Sequence, residues 1–225
     1  MDWQALILTL KLDAIVCALL VLIGVPLAFW LSFWRWRYKF LVEAVVALPL
    51  VLPPTVLGFY LLIAMGPHSP FGRIYASIWG HGLPFTFEGL VIASAIYSLP
   101  FMVQPVSAAF GAIDPKLSSA SAVLGASRLR TFVKVVLPLS VSGLLTGVVL
   151  TFAHTLGEFG VVLMVGGNIP GVTRTVSISI YDNVQALDFA SAGQTSVVLL
   201  AASFLILSCV YGLNRKQSVF WLPRS

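Results

Sequence analysis

The sequence predicts a single-domain, all-α integral membrane protein, residues 1–225, with five transmembrane helices, an outside N-terminus and a cytoplasmic C-terminus. Three observations predict it. Of the 225 residues, 59% are hydrophobic and only 9% charged, whereas soluble domains carry about 25% charged residues. The apolar residues gather in five runs near spanning length, at about 6–34, 41–65, 89–110, 141–165 and 195–213, and a lone segment in lipid satisfies its backbone only as a helix. Finally, the basic residues alternate in side. Arg35, Arg37 and Lys39 follow the first run, Lys116, Arg128, Arg130 and Lys134 the third, and Arg215, Lys216 and Arg224 the fifth. The opposite side holds only Lys11, Arg73 and Arg174, and cytoplasmic loops are the basic ones.

The first run carries Lys11 and Asp13 near its start. Acidic Asp2, the lack of a basic start and the length of the run argue against a cleavable signal. Cys17 and Cys209 lie far apart inside apolar runs, which gives neither a disulfide framework nor metal spacing, so both are read as core packing. The net charge of +5 belongs to cytoplasmic loops and not to a nucleic-acid face. Pro26, Pro49, Pro53, Pro54, Pro100 and Pro105 fall at or near membrane depth. Each removes a backbone donor, and membrane helices keep such breaks where a neighbour or watery cavity satisfies the backbone. The stretch "LPLVLPP", with Pro53 and Pro54, is therefore either a pathway-lining kink or a purely structural bend.

Two outer loops follow the second and fourth runs. The first should hold an amphipathic turn or two, and its His68 and His81 lack a third ligand for a metal site. The second has a glycine-rich entry and a short helix expected over 176–187. The cytoplasmic loop, residues 111–140, contains "DPKLSSASAVLGASRLRTFVKVVLPLS". Asp114 suits a helix cap and Pro115 a first turn. A helix should reach about Leu124, where Gly125 suits a left-handed stop, and a second should run from Ser127 to Val136 and end near Leu137-Pro138. Pattern alone leaves three readings open: a solvated loop, an interfacial helix on anionic lipid, or a helix docking into a partner's groove.

Glu158, in "HTLGEFG", reads as the one carboxylate deep within a span. Such a group faces a bundle interior or a cavity, and His154, one turn earlier, could pair with it. Gly157 and Gly160 would permit close helix approach. Arg174 is suited in sign to attract an anion, to bridge to another protein, or to sit on the surface. No Gly-x-x-x-x-Gly-Lys-Ser/Thr nucleotide loop, Ser/His/Asp set or zinc-protease arrangement is present, so no catalytic residues are assigned.

The cytoplasmic segment resembles the "EAA" loop of ATP-binding-cassette importer permeases: Glu-Ala-Ala, three residues, Gly, nine residues, Ile, one residue, Leu-Pro. Here the same spacing reads Ser119-Ala120-Ser121, Gly125, Val135 and Leu137-Pro138. Ser119 replaces the acid and Ser121 an alanine. "LPLVLPPTVLGFYLL" and "TLGEFGVVLMVGGNIPGVTRTVSISIY" are similar to the molybdate permease subfamily, with sulfate and tungstate permeases close by. The resemblance covers about Trp3 to Leu213.

It implies a multi-pass permease in the cytoplasmic (inner) membrane of a prokaryote, translocating a tetrahedral oxyanion, most simply molybdate, by alternating access. It implies a second copy of this chain, two cytoplasmic ATPase subunits, an extracytoplasmic substrate-binding protein, and ATP and Mg held by the ATPase subunits alone. Leu117, Ser119, Ala120, Ser121, Leu124, Gly125, Arg128, Val135, Leu137 and Pro138 would form the coupling loop that docks on the ATPase. Pro53, Pro54, His154, Gly157, Glu158 and Gly160 would line a pathway or gate, with Glu158 in a gating or structural role because a carboxylate repels an anion. Asn168 and Arg174 would face the binding protein. The rival of another class is a membrane enzyme or assembly factor with no ATPase partner.

Overall fold

The computed structural model describes residues 2–34 and 36–220, with side chains through Ser208 and at Tyr211 and Gly212. Arg35, Arg224 and the side chains of Arg215 and Lys216, four of the basic residues that orient the chain, lie outside the described residues, as do those of Cys209 and Leu213.

Every regular element among the described residues is helical. Helix α1 (Trp3–Phe33) starts where the Asp2 carboxylate accepts from the Ala5 amide at 3.0 Å. Its 31 residues extend about 46 Å at 1.5 Å each, longer than a bilayer's hydrocarbon core. Helix α2 (Lys39–Val51) and α3 (Pro54–Met65) are separated at Leu52-Pro53. On the same connection lies α4 (Pro70–Trp79), capped by Ser69. Next come α5 (Phe87–Gly111), α6 (Pro115–Val123) and α7 (Arg128–Thr131). A wide π turn (Phe132–Val136), α8 (Leu137–Leu139), α9 (Val141–Leu156), α10 (Gly160–Gly166), α11 (Val176–Gln185) and α12 (Phe189–Phe220) complete the chain.

Among the described residues, only α1, α5 and α12 are single helices long and apolar enough to cross a bilayer. Five plain spans were expected, and two of them are broken. The second bends by 117° between α2 and α3, because Pro53 and Pro54 in succession supply no backbone donors. The helix before α9 meets it at 70°, turning at Ser140, whose backbone leaves the helical region. The run 141–165 is interrupted again, at Gly157–Phe159, between α9 and α10. The second helix of the 111–140 loop ends near Leu137-Pro138 as expected, its last helical residue being Leu139, one position beyond Pro138. The preceding π turn, in which the Leu137 amide donates to the Phe132 carbonyl, widens the helix just where the proline ring needs room.

Two buried clusters organise the bundle. Leu12, Val16 and Leu20 of α1 meet Met102, Val106 and Phe110 of α5 in the first. The second joins Leu57 of α3, Ala93 of α5 and Val161 and Val165 of α10. Small residues set the helix spacing, as packing in lipid requires. A Cβ at Gly24 would stand 2.9 Å from Met102 Cγ, and one at Gly147 3.0 Å from its sulfur. One methionine thus fills the space left by two glycines.

Candidate functional site

The two interior helix breaks lie against each other. Gly160, the first residue of α10, fits so closely on Pro54 that a Cβ there would stand 2.6 Å from the proline Cβ. One turn along, Gly58 of α3 leaves only 2.8 Å to Met164 Cβ. The α3–α10 contact is therefore built by glycine backbone lying on a side chain of the other helix, with Pro54 and Gly160 touching and Pro53 exposed beside them. Gly157 does not share in this: a Cβ there would meet only the Ala153 carbonyl of its own helix, at 3.7 Å.

Glu158 lies inside the break, not on a helix face, and is 5% exposed. Because α9 ends at Leu156, the one-turn spacing that would bring His154 to Glu158 is lost, and the expected pair is not made. His154 Nδ1 instead meets Ser98 Oγ at 2.9 Å, and that hydroxyl also meets Thr155 Oγ1 at 2.9 Å. The imidazole stacks on Phe101 with centroids 4.0 Å apart and lies 4.6 Å from Tyr97. His154 thus ties α9 to α5. Nor is Glu158 the one deep carboxylate. Asp13 of α1 is fully buried and within Coulombic reach of it. Neither carboxyl group has a hydrogen-bond partner among the described residues, and the buried Ser94 hydroxyl likewise has none. Asp13 had a signal in the sequence: Thr9, Asp13 and Cys17 recur every fourth residue, a polar stripe on one helix face.

The cytoplasmic-type loop is built quite differently. The Asp114 carboxylate caps α6 by accepting from the Lys116 amide at 2.9 Å, and Ser127 caps α7 by accepting from Arg130 at 3.3 Å. Gly125 joins them at φ 76°, a left-handed turn that favours glycine. The apolar side chains at this corner are bare: Val123 is 88%, Leu124 86% and Leu129 73% exposed. Ser119 donates to the Pro115 carbonyl of its own helix at 3.1 Å, and Ser121 meets Thr131 across the turn at 2.9 Å. Leu117 is 46% exposed and Ala120 is exposed, as are Arg128 and Pro138, while Val135 and Leu137 are half-buried.

What holds this loop to the bundle was not seen in the sequence. Phe132, the first residue of the π turn, stacks edge-on against Phe29 of α1 at 4.9 Å and reaches Phe110 of α5 at 6.2 Å. Val136, one wide turn later, is buried in the same core. Phe29 also meets Phe33 at 4.8 Å. The only hint was aromatic spacing on three separate elements, which no periodicity connects.

On the opposite side, Arg174 is not an open cation. It pairs with Asp182 of α11 at 3.5 Å and with Asp2 at 4.0 Å, and its Nε donates to Asn168 Oδ1 at 2.6 Å. Asn168 in turn donates to Asp182 at 2.5 Å. Two carboxylates neutralise the guanidinium, so its expected pull on a free anion is weakened. The cluster fastens the 168–175 loop to the start of α1.

Bent helices, small-residue packing and buried acids in an apolar bundle define a multi-pass membrane protein of the transport class. Residues 21–217 match the family model of the binding-protein-dependent transport system inner membrane component, and the chain belongs to that family. It is 50% identical over 214 residues to the molybdenum transport system permease protein ModB of Azotobacter vinelandii, covering 95% of each chain. It is 34% identical over 197 residues to the sulfate transport system permease protein CysT of Salmonella typhimurium, covering 88% of this chain and 70% of that one. Its fold is also that of a bacterial ABC transporter involved in alginate import, with a TM-score of 0.75 at 18% identity over 95% of this chain and 78% of that one. The family is one of inner-membrane transport components, which makes this chain a non-catalytic subunit.

Proposed function

We propose that this chain is the permease subunit of an ATP-driven importer that carries molybdate inward by alternating access. The observation that carries the substrate is the 50% identity with a molybdenum permease across 95% of both chains. Two copies enclose the pathway, two ATPase subunits hold ATP and Mg, and an extracytoplasmic binding protein delivers the anion; this chain itself binds no cofactor. The single domain crosses five times, N-terminus outside, with α2 and α3 as one crossing and α9 and α10 as another. Lys116, Arg128, Arg130 and Lys134 support a cytoplasmic place for the α6–α8 loop.

In this reading Val123, Leu124 and Leu129 are the apolar anchors on the ATPase. The Phe132 side chain passes the loop's movement to α1 and α5, since a packed aromatic cluster moves as a body and not by continuous deformation. The ATPases drive transport only if they bind the two bundle states unequally. Pro54, Gly160 and Glu158 mark the gate. A break whose glycines offer no side chain can pivot with little interlocking, and a buried carboxylate disfavours an anion resting there. Asn168 and Arg174 present a closed polar surface to the binding protein.

The relatedness to a sulfate permease makes sulfate the second reading. Uptake of labelled molybdate by the assembled transporter separates them. Excess tungstate and unlabelled molybdate should compete and excess sulfate should not; equal inhibition by sulfate overturns the molybdate assignment.

A further inference from the structure

Two cavities of about 540 Å³ each adjoin where α1 meets the α6–α8 loop, sharing Phe29, Phe33 and Arg128 in their walls. The first is apolar: Pro26, Phe29 and Phe33 on α1 face Ala122, Ala126 and Val136 across it. The second is walled by Trp30 and Trp34. Trp30 and Trp36 lie 5.9 Å apart, and Trp36 meets Tyr38 edge-on at 5.7 Å. This is the amphipathic aromatic band that membrane proteins place at headgroup level. Arg128 forms no ion pair among the described residues, and Arg130 and Lys134 follow within two turns.

We infer that this double cavity holds one anionic phospholipid of the inner leaflet, an acyl chain between α1 and the loop and the phosphate on Arg128. Depth favours lipid over a soluble occupant. Pro26 lies four residues before Trp30 on α1, about 6 Å along the helix, so the apolar cavity reaches a full turn below the aromatic band. A water-soluble subunit docking on the exposed loop does not extend there, whereas an acyl chain does. Charge favours an anionic headgroup: a basic cluster just cytoplasmic of a span attracts acidic lipid, and a guanidinium grips phosphate with paired donors. The bound lipid would brace the joint through which Phe132 connects loop and bundle.

The inference rests on the cytoplasmic placement of this loop in the proposed importer. It is tested on the detergent-purified complex with its ATPase subunits, by native mass spectrometry against phosphatidylglycerol and phosphatidylcholine. One phosphatidylglycerol per permease chain should survive activation that strips phosphatidylcholine. R128Q should weaken its retention about tenfold, the scale of one charged hydrogen bond. A126W, which fills the apolar cavity from a half-exposed position, should block it, and R128K should keep part of it. Equal retention of phosphatidylcholine, unchanged retention in both R128Q and A126W, or displacement by inorganic phosphate overturns the site. Loss of the ATPase from the wild-type complex would count against the importer reading and not against the lipid.

Discussion

The break beside Glu158 and the loop around Gly125 are both interruptions of helix, and they are made in opposite ways. At the break, glycine removes a side chain so that Gly160 can press on Pro54 and Gly58 on Met164. At the loop, Gly125 has open space on every side and is needed for its φ of 76° alone. One region is closed by contact and the other is free to be contacted. In the proposed importer the first would be the joint that moves and the second the surface that meets the ATPase, and the two strongest substitutions below each act on one region and should spare the other.

The largest effect is expected from charging the exposed corner. V123D with L124D places two carboxylates where two bare apolar anchors stand. Such anchors each contribute about 2 kcal/mol or more at an interface, so the ATPase should no longer co-purify and uptake should stop, while the permease still accumulates in the membrane. Retention of the ATPase would contradict the docking surface. Next in size is G160L, which forces a branched side chain against Pro54. Overpacking of this kind costs about 1–3 kcal/mol. Uptake should fall steeply and the thermal midpoint drop, with the ATPase still bound. The milder G160A should be partly rescued by P54G, because the two residues share one contact and their effects should not add.

Phe132 joins the loop to α1 and α5. F132A leaves the exposed corner and the break intact and removes the ring that packs on Phe29 and Phe110, at about 2–4 kcal/mol for a large-to-small change in a packed cluster. The expected signature is uncoupling: ATP hydrolysis persists and uptake per ATP falls. Loss of both activities together would show Phe132 to be merely structural. Smaller again is R174Q, beside the start of α1. Removing a guanidinium shared by Asp2 and Asp182 should cost about 1 kcal/mol, as for partly exposed ion-pair networks, and read out as a few-fold loss of uptake at low binding-protein concentration.

Legibility in the sequence followed the same division. The loop's caps, its glycine and its basic character are local features, set by residues within four positions of one another, and they could be read directly. The break could not. Pro53-Pro54 announced a bend, but that Gly160 meets Pro54 is a contact between residues over a hundred positions apart. His154 looked like a partner for Glu158 because a continuous helix was assumed, and the helix stops at Leu156. Asp13 reads as an interruption near the start of a long apolar run, although its place one turn after Thr9 marks two polar groups on the same buried face. For Arg174 the sequence leaves an anion, another protein or plain surface open, because its two carboxylate partners come from residues 2 and 182. What depends on chain separation was hidden, and what depends on neighbours was plain.

The smallest effect concerns the serines that depart from the loop pattern. Ser119 stands where an acid is usual and Ser121 where an alanine is, and the two hydroxyls are used differently. Ser119 is spent on its own helix, donating to the Pro115 carbonyl, so S119A should be nearly silent. Ser121 crosses the turn to Thr131 and joins α6 to α7, which places the corner of Val123 and Leu124 relative to Phe132. A partly exposed hydrogen bond of this kind contributes about 0.5–1.5 kcal/mol. S121A should therefore leave ATPase binding intact but lower uptake per ATP modestly, in the direction of F132A. If S119A proves the more damaging of the two, the loop depends on what Ser119 offers a partner and not on the brace across its own turn.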